Sequence, residues 1–535
     1  MSIRSISLLL VFIAAVPLGC NGQSVETKSA PNFLILIGDD MAVETVGCYG
    51  VGSSPASTPR IDSLCNTGMR FDNFWSQPVC SPTRATILTG QYGFRNGVGT
   101  PATGPAIDYP LPEDSSGGAP ELGTAAGGFG AAGMGAAGMG MGAGAMGMGA
   151  AVAEEGNGAQ RPGYIDPPAT RPSISKDAYG LPRALSADES LAYQTAAVGK
   201  WHLASEDNGA LEHTAVVGFD HYSGNYNGGG VESYYAWSKV IDGEVTDGQT
   251  GYVTTETVND ALSWLDRKDP DRPWLLWVAF NAPHSPYGPP PSELVSEATA
   301  AKLADEDVGE QTVYAAMIEA MDTEIGRMLD SMDPAELANT YVIFLGDNGT
   351  PTPMATPPFT GPRAKGTVYQ GGVNVPFVVA GPGLAEGTVS KSLANSVDLY
   401  ATILDLAGVG HDAALDDVVL DAVSLAPVLA DPATQVRSFA YADVFGATRG
   451  AVANERAIRD ERFKLVIDLQ LDTAEFYDLS ADPYEQNDLL HETLSAEAQA
   501  GFDGLIAQIE ALCSPSDHTV CQLPSTVSLV RSSQL

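Results

Sequence analysis

The stretch NFLILIGDDM (residues 32–41) decides the fold class, because it is a continuous apolar run that ends in two carboxylates. Such a run, without alternation of polar residues, is typical of a parallel strand that is buried on both faces. Three later stretches also have an apolar run that ends in polar residues: YQTAAVGKWH (193–202), PWLLWVAFNAPH (273–284) and TYVIFLGDNG (340–349). We therefore predict an α/β fold with a large, mostly parallel sheet sandwiched by helices.

Helical and strand patterns complete the predicted architecture. Residues 313–332 have apolar side chains that recur about every 3.6 residues, which predicts a helix with one buried face. Residues 456–469 and 474–489 are typical of strands joined by a turn, and residues 495–513 of a terminal helix. We expect a large domain over residues 30–435 and a smaller C-terminal α+β subdomain over residues 436–535.

One segment interrupts the large domain. Residues 115–160 consist mainly of glycine, alanine and methionine and lack the branched and aromatic side chains that build a core. We interpret them as a flexible surface insertion. An adhesive or self-associating segment is the alternative.

The N-terminus has the pattern of an export signal over residues 1–20. Arg4 is followed by an apolar run over residues 6–16, which is too short to span a bilayer, and then by PLGC (17–20). Gly19 and Cys20 resemble the cleavage site of bacterial lipoproteins, although Pro17 is atypical there. A lipid anchor at Cys20 and ordinary cleavage nearby both remain open. Both predict an exported protein, periplasmic, on the cell surface or secreted, which touches a membrane only through such an anchor.

The chain has six cysteines, too few for a disulfide scaffold at 535 residues. We expect Cys513 and Cys521, close together near the C-terminus, to pair in an oxidising compartment. We expect Cys48 and Cys65 to be buried free thiols. Cys80 is set apart by its surroundings, PVCSPTRATILTG (78–90), with a proline and an arginine at fixed spacing after it.

The charge of the chain excludes one class of partner. It has 27 basic and 66 acidic residues, a formal net charge of −39. A polyanion would be repelled at long range, so nucleic acid is not expected to bind. The acidity is otherwise a common solubility feature and says little about an active site.

The polar ends of the predicted strands should converge, because ligands of open α/β sheets bind at the carboxyl ends of the strands. Two adjacent pairs of oxygen-bearing side chains follow buried strands, and oxygen ligands suit a hard cation such as calcium or magnesium. Positive and proton-transferring side chains join them, as expected of a site that stabilises a tetrahedral oxyanion. The predicted metal ligands are Asp39, Asp40, Asp347 and Asn348, and the predicted catalytic side chains are Arg84, Lys200, His202, His284 and Lys365.

The motif CSPTRATILTG (80–90) resembles the signature of the formylglycine-dependent sulfatases, an arylsulfatase-like group of the alkaline phosphatase superfamily. The resemblance continues through AVGKWHL (197–203), FNAPHSPY (280–287), FLGDNG (344–349), KGTVYQGGVNVP (365–376) and FYDLSADPYEQNDL (476–489). It covers nearly all of the expected mature chain except the insertion. Three residues depart from the family pattern: Gln91 and Asn374 stand where arginine, and Gln370 where glutamate, is usual or frequent.

The resemblance implies that Cys80 is oxidised to formylglycine, whose hydrate attacks sulfur and completes the metal ligand set. A formylglycine-generating or anaerobic sulfatase-maturing enzyme would read Pro82 and Arg84 in the unfolded chain. Arg84 would then support the hydrate through charge-assisted hydrogen bonds. Lys200 and Lys365 would bind sulfate oxygens, His284 would protonate the leaving alcohol, and His202 would remove a proton from the second hydroxyl.

The resemblance predicts hydrolysis of sulfate esters, with carbohydrate sulfates as the expected substrates. A phosphonate or phosphodiester hydrolase on the same scaffold is the alternative, because both esters are tetrahedral oxyanions. A surface protein that binds sulfated glycans without turnover is a third hypothesis. The identity of the alcohol is left open; the aromatic residues of the 221–237 stretch could stack on sugar rings or pack together.

Overall fold

The computed structural model describes residues 30–102, 173–226, 231–246, 248–359, 361–410, 415, 418–448, 451–512 and 522–527. A ten-stranded sheet forms the centre of this part of the chain, and a four-stranded antiparallel sheet lies in its C-terminal part. The main sheet contains β1 Asn32–Gly38, β2 Met69–Phe71, β4 Gln194–Lys200, β5 His221–Asn225, β6 Val240–Ile241, β7 Glu244–Val245, β8 Trp274–Ala279, β9 Thr340–Gly346, β10 Phe377–Ala380 and β11 Thr388–Ser390. The smaller sheet contains β13 Ala440–Thr448, β14 Ala451–Arg459, β15 Phe463–Asp468 and β16 Thr473–Asp478, and β3 Phe74–Trp75 pairs separately with β12 Ala394–Asn395.

Helices connect and cover these strands. Their bounds are α1 Pro59–Thr67, α2 Cys80–Thr89, α3 Gly93–Asn96, α4 Leu181–Ser186, α5 His213–Val217, α6 Val253–Arg267, α7 Glu297–Leu303, α8 Glu310–Ser331, α9 Pro334–Ala338, α10 Gln370–Val373, α11 Asp398–Ala407, α12 Ala426–Ala430 and α13 Ala496–Leu512. The expected helix over 313–332 is α8, and its methionines at 317, 321 and 328 are buried in the core.

The strand order of the main sheet is β11-β2-β10-β9-β1-β8-β4-β5-β6-β7. The central strands β9, β1, β8, β4 and β5 are mutually parallel, and antiparallel strands lie toward the edges. Successive residues of β1 belong to opposite cores: Phe33 and Ile35 face one helical layer, and Leu34 and Leu36 the other. The predicted α/β sandwich with a mostly parallel sheet is confirmed.

The parallel register brings the strand ends into line. Gly38 at the end of β1 lies opposite Gly346 at the end of β9. On the other side of β1, Ile37 lies opposite Ala279 of β8, which in turn lies opposite Gly199 of β4. The residues that follow these four strands therefore emerge at the same edge of the sheet.

The C-terminal subdomain has the predicted α+β composition. One face of its sheet packs Phe476 and Leu465 against Phe502 of α13. The other face packs Val466 and Tyr477 against Trp75 and Val368 of the main domain. The small sheet is thus enclosed between its own helix and the edge of the large domain.

One expectation about local structure is wrong. Cys48 and Cys65 are not free thiols but form a disulfide, with their Cα atoms 6.5 Å apart. The loop after β1 folds back on α1, where the Cys48 N–H donates a 2.8 Å hydrogen bond to Asp62 Oδ1, and this return brings the two sulfur atoms together.

Two interpretations of the aromatic residues of the 221–237 stretch were open, stacking on sugar rings and packing together. The stretch begins with strand β5, because residues 221–225 pair in parallel with β4. The rings of Tyr222, Tyr226, Tyr234 and Trp237 are at most 2% exposed. These four aromatic residues therefore pack in the core, as the second of the two interpretations held.

The expected export signal at residues 1–20, the insertion at 115–160 and the Cys513–Cys521 pair lie outside the described residues. Among the residues that are described, no helix is both long and apolar enough to cross a membrane.

Candidate active site

Two strand ends bring four oxygen-bearing side chains together. Asp39 and Asp40 follow β1, and Asp347 and Asn348 follow β9. The Asp347 N–H donates to the Gly38 carbonyl at 3.0 Å, and the Asp40 N–H donates to Asp347 Oδ1 at 3.2 Å. Asn348 Nδ2 donates to Asp40 Oδ1 at 2.8 Å. All four side chains are at most 2% exposed.

This cluster has the donors that a hard cation requires. Asp39, Cys80 and Asp347 offer ligand atoms within 4.8 Å of one another, as do Asp39, Asp40 and His284. Asp39 Oδ1 and Asn348 Oδ1 are buried and accept no hydrogen bond, although buried polar atoms are normally paired. Two unpaired oxygens beside other carboxylates fit calcium or magnesium.

The electrostatics of the carboxylates agree with this fit. Burial raises the pKa of Asp347 to about 6, and the neighbouring Asp39 charge adds to the shift. Burial also raises the pKa of Asp40, whereas the pKa of Asp39 is held well below its usual range, despite burial, by Lys200 and the other nearby cations. At Asp347 and Asp40 the effect of burial on the pKa therefore exceeds that of the neighbouring cations, whereas at Asp39 the cations prevail.

Helix α2 carries Cys80 into the site. Cys80 is its first residue, is 2% exposed, and has its Sγ 3.1 Å from His202 Nδ1. Thr83, one turn later, donates from Oγ1 to the Asp347 carbonyl at 2.5 Å and so holds the helix against the end of β9. Burial raises the pKa of Cys80, which disfavours a thiolate nucleophile.

Arg84 is placed beneath the carboxylates. Its Nε and Nη2 donate to Asp347 Oδ2 at 3.1 and 2.8 Å, and Nη2 lies 3.5 Å from Asp39 Oδ2. Nη1 donates to the Lys200 carbonyl at 2.6 Å. The guanidinium thus connects α2 with the ends of β1, β9 and β4, and its side-chain partners, Asp347 and Asp39, are both proposed metal ligands.

Lys200 and His202 follow from β4. Lys200 Nζ contacts Asp39 Oδ2 at 2.5 Å. His202 Nε2 donates to the Ala102 carbonyl at 3.0 Å, so Nδ1, facing Cys80, is the acceptor nitrogen. Burial, followed by the Lys200 charge, lowers the pKa of His202 well below its usual value, and the ring is therefore neutral.

Lys365 and His284 lie on the more open side of the site. Lys365 Nζ contacts Asp40 Oδ1, and 20% of the lysine side chain is exposed. His284 Nε2 lies 4.0 Å from Asp40 Oδ2, the ring is 13% exposed, and Nδ1 donates to the Ser285 carbonyl at 2.6 Å. Because the other site cations are fully buried, a ligand would enter beside Lys365 and His284.

The structure therefore brings together every residue that the sequence singled out for the site. It also adds residues that sequence reasoning missed. Ser81 Oγ donates to the His202 carbonyl at 2.7 Å, and Tyr314 donates to the Asp40 carbonyl at 2.6 Å. Ser81 lies inside the quoted motif and could have been found there. Tyr314 is on α8, whose apolar spacing concealed its role.

Two of the three departures from the family pattern, Gln91 and Gln370, have local explanations. Gln91 Nε2 donates to the Val419 carbonyl at 2.9 Å, away from the carboxylates. Gln370 Oε1 accepts a 2.9 Å hydrogen bond from Trp75 Nε1. Nothing in the structure explains Asn374, whose buried Oδ1 accepts no hydrogen bond.

Comparison with known proteins gives the family. The sequence model of the family "Sulfatase" matches residues 31–115 and 170–409, and that of "N-sulphoglucosamine sulphohydrolase, C-terminal" matches residues 363–511. N-acetylgalactosamine-6-sulfatase of Canis lupus familiaris is 26% identical over 79% of this chain and 69% of its own length. N-acetylglucosamine-6-O-sulfatase of Bacteroides thetaiotaomicron is 23% identical over 94% of this chain and 90% of its own length.

Solved structures share the fold. Ps i-CgsB in complex with k-i-k-neocarrahexaose has a TM-score of 0.66 and 20% identity, over 95% of this chain and 97% of that chain. A protein solved in complex with its substrate D-glucosamine-2-N,6-O-disulfate has a TM-score of 0.64 and 21% identity, over 90% of this chain and 97% of that chain. With a family match over more than half of its length and named sulfatases among its relatives, the chain belongs to the sulfatase family of sulfuric ester hydrolases.

Proposed function

We propose that this sulfatase removes sulfate from carbohydrate esters, using a formylglycine made from Cys80 and a divalent cation, calcium or magnesium. The observation that carries the proposal is the position of Cys80, at the start of α2 and 3.1 Å from the acceptor nitrogen of His202. A convertible cysteine beside a neutral base and a carboxylate cluster is the combination that this chemistry needs.

The burial of Cys80 bears on how it would be converted. Cys80 is 2% exposed, and all ten residues of α2 are buried. A maturing enzyme could not reach the cysteine in the folded protein. Conversion in the unfolded chain, by a formylglycine-generating or anaerobic sulfatase-maturing enzyme, agrees with this burial.

The cation would be held by Asp39, Asp40, Asp347 and Asn348, with the side chain at position 80 completing the set. Within this cluster, Asp39 Oδ1 and Asn348 Oδ1 are two buried oxygens that have no hydrogen-bond partner. A bound divalent cation would supply Lewis-acid polarisation of a sulfate oxygen. Arg84 would keep Asp347 oriented through its two hydrogen bonds.

The remaining residues divide binding and proton transfer between them. Lys200 and Lys365, which now contact Asp39 and Asp40, would turn to the sulfate oxygens. In the neutral His284 ring the proton is on Nδ1, which donates to the Ser285 carbonyl. Nε2 would therefore first take up a proton, with the Lys365 ammonium as its source, and then pass it to the oxygen of the leaving alcohol. His202 Nδ1 would accept a proton from the group at position 80. The hydrated aldehyde would supply two hydroxyls on one carbon, one for attack and one for release of sulfate.

A carbohydrate substrate is supported by the relatives. Those named above are sulfatases of N-acetylgalactosamine and N-acetylglucosamine, and two solved relatives hold carbohydrate ligands. The export pattern of residues 1–20 would place the enzyme outside the cytoplasm, where sulfated polysaccharides are found.

Parallel assays test the proposal. Purified protein with converted Cys80 is given matched aryl sulfate, phosphate and phosphonate esters, followed by a panel of defined sulfated oligosaccharides. We expect kcat/KM to be highest for sulfate esters, and one oligosaccharide sulfate to exceed the aryl sulfate. A higher kcat/KM for phosphate or phosphonate esters would favour the phosphonate or phosphodiester hydrolase. Tight glycan binding without any turnover would favour a binding protein.

A further inference from the structure

A buried ion pair in the C-terminal subdomain is not used by the chemistry described above. Lys464 on β15 and Glu485 in the turn after β16 contact each other through Nζ and Oε1, and their side chains are 0% and 1% exposed. Burial lowers the pKa of Lys464 to about 8, although Glu485 opposes the shift. Both charged groups lie in the interface between the small sheet and the main domain.

Both members of the pair bind the backbone of one short segment, residues 365–370. Lys464 Nζ donates to the Val368 carbonyl at 2.7 Å, and the Gln370 N–H donates to Glu485 Oε2 at 2.8 Å. Lys464 Nζ also lies 4.7 Å from the centre of the Trp75 ring, and that indole donates to the Gln370 side chain at 2.9 Å. One end of the 365–370 segment is thus held by the C-terminal subdomain.

The other end of the 365–370 segment lies in the candidate active site. The Lys365 N–H donates to the Thr350 carbonyl at 3.0 Å, and the Gly366 N–H donates to the Pro78 carbonyl at 2.9 Å. Gly366 has a φ of +88°, a left-handed conformation that a side chain would disfavour. Only Gly366 and Thr367 separate Lys365 from Val368, so a shift of the Val368 carbonyl would reach Lys365.

The charge of the Lys464–Glu485 pair indicates that it positions the 365–370 segment. Two buried charges are costly to desolvate, and an apolar pair of similar volume is often equally stable. Apolar contacts already cover the surrounding interface, for example at Val466 and Tyr477. Unlike these apolar contacts, the ion pair is directional. The Lys464 ammonium donates to the Val368 carbonyl, and the Glu485 carboxylate accepts from the Gln370 N–H. Glu485 is also held at a φ of +59°, a conformation unfavourable for a residue with a side chain.

We propose that Lys464 and Glu485 are positioning residues that fix the 365–370 segment, so that the Lys365 ammonium stays where it receives a substrate sulfate. This inference rests on the proposed function, because it takes Lys365 to bind a sulfate oxygen. The C-terminal subdomain would then contribute to sulfate binding through the backbone, without placing either residue of the pair on the substrate.

The test uses the full chain with converted Cys80. The double variant Lys464→Met/Glu485→Gln removes both charges and leaves no buried charge unpaired. Glu485→Asp keeps both charges but shortens the acidic side chain by one methylene group. It is the second test variant, used if the double variant folds poorly. The matched control is Arg462→Gln, which breaks an ion pair with Asp478 in the same subdomain, where the arginine side chain is 40% exposed.

Four quantities are measured: KM and kcat for an aryl sulfate, the inhibition constant of inorganic sulfate, and the thermal shift produced by inorganic sulfate. KM and the inhibition constant do not depend on the fraction of folded enzyme, so partial misfolding cannot imitate the effect. We expect the double variant to raise both constants by about tenfold and Glu485→Asp to raise them less, since a small displacement of a binding group is costly. The control should keep wild-type constants.

Wild-type KM and inhibition constants in both Lys464/Glu485 variants, even with a lower melting temperature, would overturn the inference and leave the pair a structural feature. Failure of the proposed function is distinguishable from this result. If wild-type protein does not hydrolyse sulfate esters, the proposed function is wrong. The thermal shift by inorganic sulfate then still decides whether the variants weaken binding at Lys365 relative to the control.

Discussion

The Cys80 sulfur lies 3.1 Å from Nδ1 of His202, and both side chains are at most 2% exposed. Because His202 Nε2 donates to the Ala102 carbonyl, the nitrogen that faces Cys80 has a free lone pair. The lowered pKa of His202, due first to burial and then to the Lys200 charge, keeps that lone pair available near neutral pH. A neutral base is therefore already aligned with position 80.

Removal of the cation should abolish turnover and lower the melting temperature. A ligand present at a hundred times its dissociation constant stabilises a folded protein by about 2.7 kcal/mol. We expect chelation to remove activity and calcium or magnesium to restore it, and differential scanning fluorimetry to follow both changes. Full activity and an unchanged melting temperature in metal-free protein would contradict the assignment of the cation to this cluster.

A pair of matched variants locates the cation. Asp39→Asn should remove the metal-dependent rise in melting temperature, because one carboxylate ligand is lost. Asp322→Asn makes the same change at a buried carboxylate that instead accepts hydrogen bonds from the Arg60 and Ile61 N–H groups at the start of α1. That control should lower stability but keep the metal-dependent rise. Equal metal dependence in the two variants would place the cation elsewhere.

His213 should make the protein less stable as the pH falls below about 6.5. The ring is 0% exposed and accepts a 2.9 Å hydrogen bond from Trp201 Nε1, and burial lowers its pKa to about 3. Between pH 6.5 and 3 the unfolded chain binds a proton at this residue and the folded chain does not. Each pH unit in that window therefore costs about 1.4 kcal/mol of folding free energy.

The test of this linkage is a comparison with His213→Asn, which keeps an acceptor for Trp201 but cannot titrate. The pH dependence of unfolding by urea should be shallower for His213→Asn than for the wild type by one proton between pH 6 and 4. Since His202 and His284 also have lowered pKa values, only the difference between the two proteins reports on His213. Parallel curves would show that His213 is protonated in the folded protein.

Loss of the Cys48–Cys65 disulfide should lower stability but spare turnover. The bond spans 17 positions in sequence, and closure of a loop of that length is worth about 3 kcal/mol in the chain-entropy model. Neither cysteine contacts the carboxylate cluster directly. The double variant Cys48→Ala/Cys65→Ala should melt at a lower temperature with kcat within about twofold of the wild type. An unchanged melting temperature would mean that the bond does not constrain the unfolded chain.

The extent to which the sequence predicts this site follows from the geometry of parallel strands. The apolar runs that end at Gly38 and Gly346 predict two buried strands, and their parallel register then places Asp39 beside Asp347. The strand pattern of YQTAAVGKWH also predicts Lys200 at this edge of the sheet. Arg84 follows no predicted strand, and its specific role came from the resemblance carried by CSPTR, since an arginine does not imply a buried position by itself.

Contacts between distant parts of the chain could not be predicted. The Cys48–Cys65 bond depends on the path of a loop, and apolar spacing cannot distinguish it from two buried thiols. Strand β5 was concealed because Gly224 and the polar residues of HYSGN do not form an apolar run. Gln370 and Glu485 are 115 positions apart, and only the docking of the small sheet brings them into contact.

The most direct test of the account is the chemical state of residue 80. Protein made in a host with the maturing activity is unfolded, digested and analysed by mass spectrometry, after treatment with a hydrazide or a thiol reagent. We expect the peptide spanning Cys80 to carry an aldehyde that reacts with the hydrazide and resists alkylation. We also expect Cys80→Ala to lose turnover while keeping a melting temperature near that of the wild type. An unmodified, alkylatable thiol at position 80 in fully active enzyme would contradict the account.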